Sequence, residues 1–162
     1  MSDIAEITRI KRNVLERYDI GESEMYTVRE MLASVSVATR MSWAAHRQTI
    51  RDEDTAYCLL GLFDVNMPLL YGEGDEKAFL RLQREIVQQI PSDHSILAWG
   101  RGMSGSVRNK TSIFSPSPRW FAHIEDLSVR DSMTMTLGSS CIQLETLLGH
   151  LENLDIRLWL RK

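Results

Sequence analysis

Only two cysteines and four histidines occur in the 162 residues of this chain, and their placement removes several kinds of chemistry at once. Cys58 and Cys141 stand far apart, and no charged-then-apolar leader opens the chain. A disulfide-built secreted scaffold is therefore not indicated, and both thiols are read as reduced. Cys58 also falls inside an apolar, helix-like run, where a thiol behaves as a small hydrophobe. The four histidines follow no His/Cys ligand spacing, which removes a zinc site. There is no G-x-x-x-x-G-K-[ST], no G-x-G-x-x-G and no G-x-S-x-G, so phosphate-loop, dinucleotide and nucleophile-elbow readings lack their signatures. Positive charge is not in excess either. The formal net charge is −3, which gives no electrostatic footprint for nucleic acid, and no polybasic segment suggests a membrane surface. The apolar runs are far too short to span a bilayer. The expectation is a cytoplasmic protein with no cofactor, no metal and no nucleic-acid or membrane partner.

What is present is enough for a core. Hydrophobic residues make up 43% and charged residues 25%, which suits a globular chain and argues against wholesale disorder. Ser2 and Asp3 can cap a helix whose apolar stripe is Ile4, Ile7, Ile10, Val14, Leu15 and Tyr18. Thr27-Val28-Arg29-Glu30 is a capping box that predicts a short second helix through Leu32. Ser36 predicts another N-cap, before Val37 to Ala45. A further helix is expected from Asp52-Glu53-Asp54 to Phe63, stopped by Asn66-Met67-Pro68. Gly74 and Asp75 open the next, with Phe79, Leu82, Ile86 and Ile90 as its stripe.

After Trp99 the pattern changes. Residues 100–112 are rich in glycine, serine and basic residues, as in a linker. Ser117-Pro118 predicts a short helical turn through Trp120 and Phe121. Met133, Met135 and Leu137 alternate with threonines, and Gly138-Ser139-Ser140 can turn the chain into a second strand at Cys141, Ile142 and Leu144. Ile156, Leu158 and Leu160 alternate again. The expected fold is α+β: a mainly helical body of about four helices (1–99), a linker (100–112), and a small antiparallel β-rich tail (113–162).

The densest chemistry lies between Arg40 and Gly74. Glu53 and Asp54 could divide acid and base roles, as paired carboxylates do. The preferred reading is structural: acids in the first turn of a helix cap free N–H groups and favour its positive end, with Arg40, Arg47 and Arg51 as partners. Leu70-Tyr71-Gly72-Glu73-Gly74 could cradle a phosphate, but Glu73 would repel one there, and a sharp turn with glycines at positive φ explains the residues better. Cys58 with His46 or His94 shows no spacing that requires a Cys–His pair. Asp93-His94-Ser95 holds triad residue types that adjacency prevents from forming a triad. Trp43, Tyr57, Phe63, Tyr71, Phe79 and Leu82 are expected core residues, and Gly72 and Gly74 the turn. With Arg40, Arg47, Arg51, Glu53, Asp54 and Glu73 they form the candidate structural or interaction motif, with no catalytic residue assigned.

From Val37 to Trp99 the sequence closely resembles fungal heterokaryon-incompatibility (HET) domain proteins. The matching blocks are R-M-S-W-A at 40–44, R-x-T-x-R-x-E-D at 47–54, and A-Y-x-L-L-G-x-F at 56–63. M-P-L-L-Y-G-E-G at 67–74, A-F-x-R-L-Q-x-E-I at 78–86 and D-H-S-I-x-A-W at 93–99 complete the set. Ser117 to Ala122 fits a further S-P-x-x-F-A element. The resemblance is to the helical region that follows the HET domain; the blocks of the HET domain itself are not in this sequence. It implies a setting in vegetative incompatibility, self/non-self recognition and cell death. The implied role is a non-enzymatic accessory module whose partner is a HET domain or a downstream sensor domain. The HET domain resembles TIR domains, some of which cleave NAD, and such chemistry would reside outside this chain. Two other readings are carried: a hydrolase or NAD-cleaving enzyme using Glu53, Asp54 or Glu73, and a dimerising adaptor that forms a homo-oligomer.

Overall fold

The computed structural model describes residues 6, 8, 10, 12–19, 27–100 and 112–124, together with the backbone of 133–137 and 142–146. The cap expected at Ser2 and Asp3, most of the linker, the turn at 138–140, Cys141 and the strand expected at 156–160 lie outside these residues. In chain order the helices are α1 (Arg12–Asp19), α2 (Val28–Ala33), α3 (Val37–Ala44), α4 (Asp54–Tyr57), α5 (Leu60–Phe63) and α6 (Asp75–Gln89). Two 3-10 turns, His94–Leu97 and Pro118–Phe121, and the strands β1 (Met133–Leu137) and β2 (Ile142–Thr146) follow. None of the described helices is long and apolar enough to cross a membrane.

The local signals act as chemistry requires. The Thr27 hydroxyl accepts from Glu30 N–H at 3.3 Å, and the Glu30 carboxylate accepts from Thr27 N–H at 2.7 Å, closing the capping box of α2. Ser36 caps α3 by accepting from Thr39 N–H. Pro118 occupies the first turn of its 3-10 helix, where a missing N–H costs nothing. The helix expected from 52 to 63 is instead two short ones. Leu59 N–H donates to Ala56 and Leu62 N–H to Leu59, so the chain tightens to i−3 bonding between them. It ends before Pro68 is reached. Asp64 turns left-handed at φ 54°, and Val65 N–H closes back on Leu60 C=O.

α3 and α6 carry the core. Val37, Ala38 and Met41 of α3 share one core with Phe79, Leu82, Ile86 and Val87 of α6 and with Leu59 and Phe63 from the broken helix; α3 packs on the two 3-10 turns and α6 on α4. Residues 112–124 share this core through Phe114, Phe121 and Ile124. Each large apolar side chain so buried contributes about 1.5–3 kcal/mol. Trp99 donates from Nε1 to Ile113 C=O at 2.8 Å and meets Trp120 edge to face at 5.9 Å. The tryptophans thus hold residues 112–124 onto the body.

The expected α+β class is corrected by this packing. Among the residues whose side chains are described, those of the core lie in helices, 3-10 turns and connecting loops. The fold of the packed body is helical. β1 and β2 pair antiparallel, with Met133 opposite Thr146 and Leu137 opposite Ile142, as a ribbon of two strands. Two paired strands are less than a sheet layer, so the alternation in the sequence reported local extended backbone rather than a β-rich domain.

Candidate functional site

The Arg40–Gly74 stretch divides into two clusters on different parts of the body. The first is built around the turn that precedes α6. Gly72 and Gly74 adopt φ 95° and 85°, which turns both of their N–H groups toward one point. The buried Glu53 carboxylate sits there. Its Oε1 accepts from Gly72 N–H at 2.6 Å and from Gly74 N–H at 3.0 Å. The glycine turn is therefore an anion cradle of the kind successive N–H groups form, and it is filled from within the chain. The N–H of Gly74, then that of Glu53 itself and of Gly72, holds the Glu53 carboxyl below its usual range.

Tyr57 joins the same turn to α4. Its hydroxyl accepts from Leu70 N–H at 2.8 Å and donates to Glu73 Oε1 at 3.0 Å. Burial pushes its phenol up, against the Leu70 N–H, which favours the charged form. Arg81, in the second turn of α6, reaches back to ion-pair with Glu73 and to donate to Pro68 C=O. Tyr71 packs edge to face on Tyr57 at 5.5 Å, lies under the Arg51 guanidinium at 4.7 Å, and donates from its hydroxyl to Asp54 Oδ1 at 3.1 Å. Glu53, Asp54, Tyr57, Tyr71, Gly72, Glu73, Gly74 and Arg51 thus form one clamp.

Arg40 is elsewhere. It is buried in α3, donates from Nη1 to Leu62 C=O at 3.1 Å, and lies over the Phe63 ring at 4.8 Å. Burial pushes its guanidinium down to about 10, with Asp93 acting in the opposite direction as a counter-charge. Arg40 therefore ties α3 to the end of α5 rather than to the acids at 53 and 54. Arg47 is exposed and stands beside Cys58, which is exposed as well rather than buried in the apolar run; partial desolvation still pushes its thiol up, against the Arg47 charge. Arg51 is the one arginine of the expected lock that reaches the clamp, chiefly through Tyr71. Trp43 is buried in α3, and Phe79 and Leu82 are core residues of α6.

Three contributors had no assigned role in the sequence. Asp93 accepts from Val37 N–H through Oδ2 at 2.7 Å and from Ser95 N–H through Oδ1 at 3.0 Å, while Ser95 Oγ accepts from Ala38 N–H at 2.9 Å. Asp93-His94-Ser95 is thus an external cap for α3, supplied from 56 residues away. Gln83, fully buried, donates to Ser115 C=O at 2.8 Å and accepts from Ser115 N–H at 2.9 Å. Its position, four after Phe79 and three before Ile86 on the apolar stripe, was the available signal. Arg81 had none beyond its helical register.

An open groove of about 410 Å³ runs beside the clamp, lined among others by Arg47, Thr49, Asp52, Thr55, Asp75 and Arg119. Its charges balance, which gives it no preference for an ion of either sign. Among the described residues no group of three or more His, Cys, Asp or Glu could hold a metal ion.

Clamp and cap define the class first: a helical module whose candidate acids are held by its own backbone and side chains. Residues 77–146 match a family described as a domain of unknown function, DUF8212. Over 78 residues the chain is 47% identical to the vegetative incompatibility protein HET-E-1 of Podospora anserina. That match covers 46% of this chain and 6% of the relative, so the chain spans a small part of that protein's length. The resemblance to heterokaryon-incompatibility proteins therefore holds as homology over this region. No solved structure matches.

Proposed function

We propose that this chain is a non-enzymatic accessory module of a HET-type vegetative incompatibility protein, packing against the HET domain or relaying a signal from a downstream sensor domain in self/non-self recognition and cell death. The observation that carries the reading is the state of the candidate acids. Glu53 is held by two glycine N–H groups, Asp54 by the Tyr71 hydroxyl, and Glu73 by Arg81 and Tyr57. A general acid or base must be able to meet a substrate's proton, and these carboxylates are engaged in holding the turn. The identity to HET-E-1 supports the setting.

The test uses Glu53→Gln and Asp54→Ala in the full-length incompatibility protein. Signalling is scored as growth arrest on hyphal fusion, and unfolding midpoints are measured alongside. The expected result is that signalling and stability fall together. A fully folded variant that has lost all signalling sinks the structural account of the cluster. Incubation of the purified chain with NAD and with assorted esters is the second arm. Turnover abolished by one carboxylate substitution would make it an enzyme.

A further inference from the structure

α2 carries a complete cap and no buried residue. Its Thr27–Glu30 box closes on itself, and none of Val28 to Ala33 enters the core. The helix packs on α1. Among the described residues, one side-chain bond joins α2 to the body: the Arg29 guanidinium pairs with the Asp64 carboxylate. Both side chains are well exposed, at 79% and 58%. An element without apolar burial belongs to the low-stability end of a structure, where local opening is easy.

The residue type at position 64 is informative. Asp64 ends α5 in the left-handed region, at φ 54° and ψ 37°, and among the described residues it is the one non-glycine with positive φ. Glycine is the usual residue at such a helix end, since it has no Cβ to clash. Aspartate tolerates the turn and adds a carboxylate that glycine lacks. The neighbouring residues are held from the opposite side. Leu62 C=O accepts from the buried Arg40 of α3, and the Phe63 ring lies under that guanidinium. The body end of the Arg29–Asp64 pair is therefore fixed by the core, and the α2 end is not. After α2 the chain becomes buried at Ser36, which leaves Ser34 and Val35 as the joint.

We infer that the Arg29–Asp64 pair is an electrostatic latch: it sets α2 against the body, and α2 swings about Ser34–Val35 when the pair is broken. An exposed pair biases an equilibrium about fivefold at most, and salt weakens it. The docked and swung positions are therefore close in free energy. A competing charge on another protein surface is enough to change their ratio. The inference goes beyond the accessory role and stands without it.

The test is a distance measurement in the intact chain. Ala33 and Gln88, both exposed, are replaced by cysteine for spin labels, with Cys58 and Cys141 changed to serine. Double electron–electron resonance then reads the separation of α2 from α6. The expected result is one dominant distance at low salt. In about 1 M salt, where the Debye length is about 3 Å, a second and broader population should grow about fivefold. Asp64→Asn keeps the shape and tolerates the left-handed turn, so it should show that population already at low salt and respond no further to salt. Asp64→Gly should behave as Asn does, which separates lost charge from lost turn geometry. Arg29→Lys keeps the charge and should stay docked. A single unchanged distance in Asp64→Asn at low salt overturns the latch, as does a broad distribution in the parent at low salt. If Asp64→Asn loses far-UV helical signal, Arg29→Gln leaves the turn untouched and decides the matter: docked at low salt, it overturns the latch, and swung, it supports it.

Discussion

Asp93→Ala should be the most destabilising polar substitution in the body, and the structure sets its size. Asp93 is buried, and each of its carboxylate oxygens accepts a backbone N–H: Val37 at 2.7 Å and Ser95 at 3.0 Å. Truncation leaves the buried Val37 N–H, at the first turn of α3, without an acceptor, a loss of about 1–3 kcal/mol. It frees Ser95, which itself caps Ala38, and it removes the counter-charge of the buried Arg40 guanidinium. Together these amount to about 3–5 kcal/mol, a large part of the roughly 5–15 kcal/mol that holds a domain folded. The assay is urea unfolding followed by far-UV circular dichroism, with a thermal scan expected to fall by about 10 °C. Asp93→Asn keeps the shape and one acceptor and should lose roughly half as much, while Ser95→Ala should cost about 1–2 kcal/mol. The reasoning is refuted if Asp93→Ala lies within about 1 kcal/mol of the parent, or if Asn is no better than Ala.

Three further outcomes are expected. Gly74→Ala meets no atom within 4 Å of its new Cβ, so its cost is the backbone conformation alone, φ 85° with ψ 161°, about 1–3 kcal/mol by denaturant unfolding. Gln83→Leu keeps the volume and strands both Ser115 backbone groups in the core, and should cost about 2–4 kcal/mol and speed proteolysis after residue 112. Glu53 is held below its ordinary value of 4.5, so the unfolded chain takes up its proton first as pH falls. The stability it lends is present above that value and is lost as pH drops through the lower folded value. Glu53→Gln should therefore flatten the acid limb of a stability profile measured from neutral pH downward.

How far the sequence could be read depended on the distance its chemistry had to reach. Thr27 and Glu30 satisfy each other three residues apart, so their cap was legible, as was Gly74 before the apolar stripe of α6. The positive φ of Gly72 and Gly74 followed from the residue type. What Glu53 does there did not, because its partners lie 19 and 21 residues ahead and are backbone groups that any residue carries. Arginine near an acid suggested a lock, yet Arg40 sits on the buried face of α3 and turns to Leu62 and Phe63. Asp93-His94-Ser95 held triad residue types that adjacency keeps from forming a triad, and its role as a cap was not legible, since nothing local to it names Val37 and Ala38 as the groups that need one. The β alternation was real as backbone and misleading as architecture, because a period of two reports extended chain and not how many strands come together.

Gln83 carries a consequence of a different kind from the stabilities above. Phe114 and Phe121 could slide along an apolar groove and still be wet on neither side, because hydrophobic contact has no direction. An amide has two distinguishable ends. With its nitrogen on Ser115 C=O and its oxygen on Ser115 N–H, Gln83 accepts one alignment of the 112–124 segment and penalises its neighbours. The oily residues decide that this segment returns to the body; one buried glutamine decides where along the body it stops.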